Sequence, residues 1–143
     1  MFSNSAKYAI KAVLYLAVNS SEEHKIMIKD LAKPINVPRH YLAKLLQDLS
    51  KKHLVSSIKG PKGGFYLSAK NRKEKVIDII NAVDGEERMK ACLLSLEGCN
   101  ANNPCSLHHL IYDERQAILK NLNKTSLDHL AEHIKSGKSI LPL

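Results

Sequence analysis

A chain of 143 residues with 44% apolar side chains is long enough for one domain with a real core and a small appendage. No apolar run approaches the length of a membrane span, and the opening residues Met1 to Lys7 lack a signal peptide's hydrophobic stretch, so a soluble, cytoplasmic protein without a membrane partner is expected. The net charge of +8 is uneven: residues 1–75 hold fifteen Lys/Arg against five Asp/Glu, and residues 76–143 hold seven against nine. That asymmetry argues for a polyanionic partner at the first half, the blander alternative being general solubility.

Residues 5–18 read as a first helix, with Tyr8, Ala12, Tyr15 and Leu16 at helical spacing and alanine frequent. Asn19-Ser20-Ser21 ends it. Ile26-Met27-Ile28 reads as a brief strand or a helix lead-in. Residues 28–34 form a short second helix, Asn36-Val37-Pro38 a tight turn, and residues 39–52 a third helix. The third helix has an apolar stripe of Leu42, Leu45, Leu46 and Leu49, and an opposite face of Arg39, His40, Lys44, Gln47 and Lys51. Two short helices joined by a tight turn, the second basic on one face, is the helix-turn-helix arrangement; the second helix is suited to a major groove. Residues 54–58 and 65–68 read as strands around Lys59-Gly60-Pro61-Lys62-Gly63-Gly64. This hairpin has a glycine-rich tip that lets Lys59 and Lys62 approach a phosphate backbone or minor groove. The tip is a poor nucleotide loop, because a P-loop's Gly-Lys-Ser/Thr ending is missing.

Residues 74–83 read as a helix ended by Asp84-Gly85, and residues 106–123 as a longer one with Leu107, Leu110, Ile111, Ala117, Ile118 and Leu122 on its apolar side. Thr125 or Ser126 caps a final short helix over 126–135, and residues 136–143 form a frayed tail. A long helix of this kind often pairs with its own copy, and the two-fold symmetry then matches a two-fold DNA site.

All three cysteines, Cys92, Cys99 and Cys105, lie with His108 in one seventeen-residue run. Three thiolates and an imidazole make a complete four-ligand set for a soft metal. An odd cysteine count in one polar loop is a poor disulfide framework. On chemistry alone the set suits structural zinc as well as an iron–sulfur cluster, and redox-active or inert thiols are a third reading. His109 beside His108 leaves the choice of imidazole open. An enzyme using a cysteine nucleophile activated by His108 is a weak reading, because no carboxylate or amide is placed to orient the imidazole. His129 and His133, at i and i+4 without a third ligand, read as a solvated face; Tyr8, Tyr15 and Tyr66 read as core. Lys51-Lys52 and Arg72-Lys73 read as solvated charges.

Over residues 2–135 the chain resembles the Rrf2 family of bacterial winged-helix regulators, which includes an iron–sulfur cluster regulator and a nitric-oxide-sensing repressor. Lys7-Tyr8-Ala9 is similar to the family's opening helix, Asp30-Leu31-Ala32 and Tyr41 to Leu46 to its helix-turn-helix. The run from Val55 to Tyr66 is similar to its wing, and the three cysteines with the Cys-x-x-His ending to its sensing loop. The resemblance implies a mainly α fold with a small β-hairpin wing. It divides into a winged helix-turn-helix domain over 1–84, a cysteine loop over 85–105, a dimerisation helix with a short terminal helix over 106–135, and the tail. It further implies a homodimeric, sequence-specific DNA-binding transcriptional regulator, repression being the simpler default, and not an enzyme. Arg39, His40, Tyr41 and Lys44 would face the major groove of a double-stranded operator, and Lys59 and Lys62 would work from the wing. Cys92, Cys99, Cys105 and His108 would ligate an iron–sulfur cluster, 2Fe–2S favoured over 4Fe–4S, with zinc, thiol oxidation or a protein partner as alternative controls. A histidine ligand raises the potential and is easier to lose than a thiolate, which suits a sensor of redox state, iron–sulfur status or nitric oxide.

Three positions depart from the family pattern. The six residues between Cys92 and Cys99 are one more than in its familiar members. The N-terminal neighbourhood where some members place a carboxylate ligand holds Ser5 and Lys7, which favours His108 as fourth ligand. Ala43 stands where one member has an acidic side chain, so that member's operator does not transfer.

Overall fold

A computed structural model of the chain describes residues 1–94 and 100–143. Its elements run α1 (Asn4–Asn19), α2 (Ile28–Ile35), α3 (Arg39–Lys51), β1 (Ser56–Ile58), β2 (Gly64–Tyr66), α4 (Ala69–Arg72), α5 (Val76–Asp84), a 3-10 turn (Arg88–Lys90), α6 (His108–Lys124) and α7 (Leu127–Lys135).

The alanines of α1 explain its place at the centre. Ala6, Ala9, Ala12 and Ala17 are fully buried along with Val13 and Leu16, and their small side chains let α5 and α7 approach closely. Ser3 caps the helix, its hydroxyl accepting from the Ala6 N–H at 3.0 Å. Tyr8 and Tyr15, expected in the core, are half-buried at its edge, and Tyr66, expected there too, is half-buried with the Lys25 ammonium 5.3 Å from its ring centroid.

The helix-turn-helix forms as its sequence pattern requires. Asn36 takes the left-handed conformation (φ 58°) that ends α2, a state asparagine tolerates well. Leu42, Leu46 and Leu49 of α3 are buried against α1 and α2, each contributing about 1.5–3 kcal/mol of apolar burial. Leu45, on the same expected stripe, is only half-buried.

The wing is shorter than its apolar run suggests, because Leu54, Val55 and Leu67 leave the hairpin for the core. β1 and β2 pair antiparallel, Ser57 opposite Phe65. Ile26 joins them through two bonds with Phe65, at 2.8 and 2.9 Å, and Ile28 then opens α2. The stretch is thus both a strand edge and a helix lead-in. Gly63 closes the tip by donating to the Gly60 carbonyl at 2.9 Å. A Cβ on Gly63 would lie 2.0 Å from the Ile58 carbonyl oxygen, so only glycine fits.

Two features of the next segment lie outside the expected pattern. Ser68 and Asn71 form a capping box on the four-residue α4. The buried Asn71 also donates to the His53 carbonyl at 2.9 Å and accepts from Ser56 Oγ at 2.7 Å, fixing the root of the wing. Arg72, read as a solvated charge, instead caps the end of α1, donating to the carbonyls of Ala17 (2.7 Å) and Ser20 (2.8 Å).

The C-terminal elements return to the same body. Ser126, not Thr125, supplies the side-chain cap of α7. Leu127 and Ala131 of α7 share the core of α1, and the preceding loop is stitched to α5 by Val76 N–H to the Thr125 carbonyl (3.1 Å) and Leu127 N–H to the Glu74 carbonyl (2.9 Å). α6 is different. It rests on α5 and the 3-10 turn through Ile118, Leu119 and Leu122, which are packed on Val76, Ile77, Ile80 and Met89. Only His108 and Arg115 of its seventeen residues are buried, and Leu110 is 69% exposed. Among the described residues no helix is long and apolar enough to cross a membrane.

Candidate nucleic-acid interface and metal centre

The helix period places Arg39, His40 and Lys44 on the exposed side of α3, with Gln47 one turn further on. Tyr41 is placed differently from its neighbours. It is half-buried, its hydroxyl lies 2.6 Å from Ser5 Oγ, and its ring meets Tyr8 edge-on with centroids 6.1 Å apart. It ties α3 to the first turn of α1. Lys59 and Lys62 are both exposed on the wing tip, and among the described residues neither makes an ion pair. Lys29 and Lys33 were absent from the expected set. With Arg39 they border a hollow of about 460 Å³ at the turn between α2 and α3. Their i, i+4 spacing on a short helix was the available signal.

The second cluster lies at the start of α6. The Cys105 carbonyl accepts from the His108 N–H at 3.0 Å, so Cys105 and His108 share one turn. Cys92 arrives from the other side, after the 3-10 turn, and its sulfur lies 3.9 Å from that of Cys105. That is too long for a disulfide. Two thiolates on one tetrahedral metal with bonds of about 2.3 Å stand about 3.8 Å apart, so the pair has the spacing of two ligands of a common centre. Cys92, Cys105 and His108 line one cavity of about 10 Å³ with Leu93, Leu107, Ile111 and Arg115. The buried His108 ring stacks on Tyr112, centroids 4.8 Å apart, whereas His109 is exposed. The geometry thus separates the two imidazoles. Cys99 lies outside the described residues, and among those described no three His, Cys, Asp or Glu side chains meet as a metal-ligand group. The His129 and His133 rings meet at a tilt of 47° with centroids 4.4 Å apart on α7, and among the described residues no third donor joins them in such a group.

A chain of polar contacts joins the two regions. Arg88, in the 3-10 turn before Cys92, reaches Asp84 at 3.5 Å. The Asp84 carboxylate, 3% exposed, accepts from the Ser3 N–H (3.0 Å) and the Ser3 hydroxyl. Ser3 caps α1, and Ser5 in the same turn meets Tyr41 of α3.

The comparisons with known proteins agree with this architecture. The sequence profile of the Rrf2 family, described as iron-dependent transcriptional regulators, matches residues 2–133. A protein of Aquifex aeolicus, whose name places it among HTH-type transcriptional regulators, is 38% identical over 111 residues, 76% of each chain. The regulator IscR of Pectobacterium atrosepticum is 32% identical over 132 residues, covering 92% of this chain and 79% of that one. Among solved structures, CymR, the global cysteine regulator of B. subtilis, is similar with a TM-score of 0.74 and 26% identity over 93% of this chain and 97% of that one. An Rrf2 profile spanning nearly the whole sequence, on a helical body with a two-stranded wing, gives the conclusion that the chain belongs to the Rrf2 family of transcriptional regulators.

Proposed function

We propose that the protein is a homodimeric, sequence-specific DNA-binding regulator whose operator affinity is set by an iron–sulfur cluster held by Cys92, Cys99, Cys105 and His108, 2Fe–2S favoured. The observation that carries this reading is the 3.9 Å approach of the Cys92 and Cys105 sulfurs beside the buried His108. The donor set fits the group: thiolates for iron, and one neutral imidazole as the weakest ligand. When bound, the cluster supplies a centre whose charge and integrity respond to oxidants or nitric oxide. The IscR relatives support the cluster.

Arg39, His40 and Lys44 read base edges and phosphates in the major groove, with Tyr41 bracing α3 from behind. Lys59 and Lys62 meet phosphates from the wing, and Lys29 and Lys33 flank the helix-turn-helix. The outer side of α6, on which Leu110 is 69% exposed, pairs with a second copy, because a chain in water seldom leaves a helix so uncovered. Strain at Cys92 reaches α3 through Arg88, Asp84, Ser3, Ser5 and Tyr41, a route whose coupling is itself testable. A second reading is a regulator without a cluster, controlled by zinc, thiol oxidation or a protein partner. The same sulfur spacing suits zinc, and the likeness to CymR, a global cysteine regulator, fits this second reading as a whole.

The test is anaerobic purification followed by visible absorption with iron, sulfide and zinc analysis, alongside Cys92→Ala. Colour with matching iron and sulfide, lost in the variant, is expected. A colourless protein after reconstitution with iron and sulfide overturns the cluster reading, and about one zinc per chain then supports the second.

A further inference from the structure

Arg115 is an anomaly on α6. The helix is largely exposed, yet this side chain is 6% exposed. A guanidinium is always charged and is seldom buried without a purpose. Its Nη1 donates to two successive carbonyls, Lys90 at 2.7 Å and Ala91 at 2.8 Å. Those are the two residues immediately before Cys92, at the end of the 3-10 turn. The same side chain lines the cavity shared by Cys92, Cys105 and His108.

Position on the helix gives this clamp its meaning. Arg115 follows His108 by seven residues, with Ile111 between them, so all three fall on one face. Two helical turns separate His108 and Arg115 by about 10 Å along a rigid axis. One helix therefore carries a candidate ligand at its start and, two turns on, a guanidinium that grips the segment bringing in Cys92. The grip falls just before an open stretch: Leu93 and Leu94, which follow Cys92, are 54% and 50% exposed.

We propose that Arg115 is a positioning residue of the metal centre. It holds Cys92 against the α6 face that presents His108, and it keeps a permanent positive charge beside the thiolate ligands. This rests on the reading of Cys92, Cys99, Cys105 and His108 as a metal site. Three thiolates gather negative charge around one centre, and a nearby cation in a pocket with little water favours the more negative, reduced state. Two jobs follow from one side chain, and they separate by substitution. Lysine keeps the charge but is shorter and lacks the rigid guanidinium plane that holds one nitrogen against both carbonyls; glutamine keeps polar character but loses the charge.

The experiment uses the full-length protein, loaded anaerobically with iron and sulfide, as wild type, R115K and R115Q. Three quantities are read: the thermal midpoint of the metal-free protein, the rate of iron release to a chelator, and the midpoint potential in a dye-linked reductive titration. R115Q is expected to release iron at least fivefold faster and to shift the potential negative. R115K is expected to restore the potential while still releasing iron faster than wild type. A purely structural arginine would lower the thermal midpoint without moving the potential, and that result overturns the proposal. So does a loaded R115Q with wild-type release and potential. If R115Q fails to fold, R115K decides: release no faster than wild type overturns the clamp. A wild type that takes up no iron–sulfur centre overturns the metal reading itself, and Arg115's role falls with it, a result distinct from wild-type loading with unaltered variants.

Discussion

Replacing Lys59 and Lys62 together by glutamine tests the wing as a phosphate contact. Both side chains are exposed on a turn closed by the Gly63 to Gly60 bond, and neither pairs with a carboxylate among the described residues. Their charge is therefore available to DNA, and its removal leaves the hairpin's bonds in place. In a dimer the substitution removes four charges. At about 0.9 in log–log salt slope per neutralised phosphate, the slope of operator affinity against salt should fall by up to about 3.6. Between 50 and 200 mM salt, the wild type should then lose up to about 150-fold more affinity than the variant. Affinity for a scrambled duplex should weaken in step with the operator, because phosphate contacts carry no sequence information. Fluorescence anisotropy across a salt series measures the slope, and thermal melting checks that the midpoint moves by no more than about 2 °C. A slope unchanged to within about 0.5, with the fold intact, would refute the placement of the wing on the backbone.

Three further substitutions probe what supports the two regions. Gly63→Ala should open the wing tip, since its Cβ would lie 2.0 Å from the Ile58 carbonyl oxygen; hydrogen exchange should quicken at Ile58 and Gly64 while Leu16 and Leu46 stay protected. Asn71→Ala leaves the His53 carbonyl and the Ser68 N–H without the buried side chain that pairs with them, and should cost about 1–3 kcal/mol in urea unfolding; a loss below about 0.5 kcal/mol would mean water replaces it freely. Asp84→Ala removes the acceptor for Ser3 at a carboxylate only 3% exposed, and should destabilise the chain by about 2–3 kcal/mol, with Arg88, half-exposed, adding little of that. If Asp84 also couples the cysteine segment to α3, its variant should narrow the difference in operator affinity between loaded and metal-free protein; an unaltered difference would remove it from the route.

What could be read from the sequence was whatever repeats along it. The leucines of α3 at helical spacing, the asparagine that ends α2, the glycines of the wing and the Cys-x-x-His ending all carry their geometry within a few residues. What escaped the reading depends on contacts made at long range. Ser3 and Asp84 are 81 residues apart and meet only because α5 packs beside α1. Arg72 reads as a solvated charge and Arg115 draws no reading at all, because nothing local shows that each will bind backbone carbonyls of another segment. The family resemblance groups Tyr41 by position with Arg39, His40 and Lys44, but a rotation of about 100° per residue turns it toward Ser5. The brief α4 is too short for periodicity, and its capping box uses Asn71 where Glu or Gln is the usual signature.

The most direct test compares one operator, found by selection from random duplex DNA, against anaerobically loaded and chelator-stripped protein. The account predicts that affinity differs at least tenfold between the two states, and that Cys92→Ala binds like the stripped protein under both conditions. Equal affinity of loaded and stripped wild type, with DNA binding otherwise intact, would contradict control of this regulator by a centre on Cys92, Cys99, Cys105 and His108.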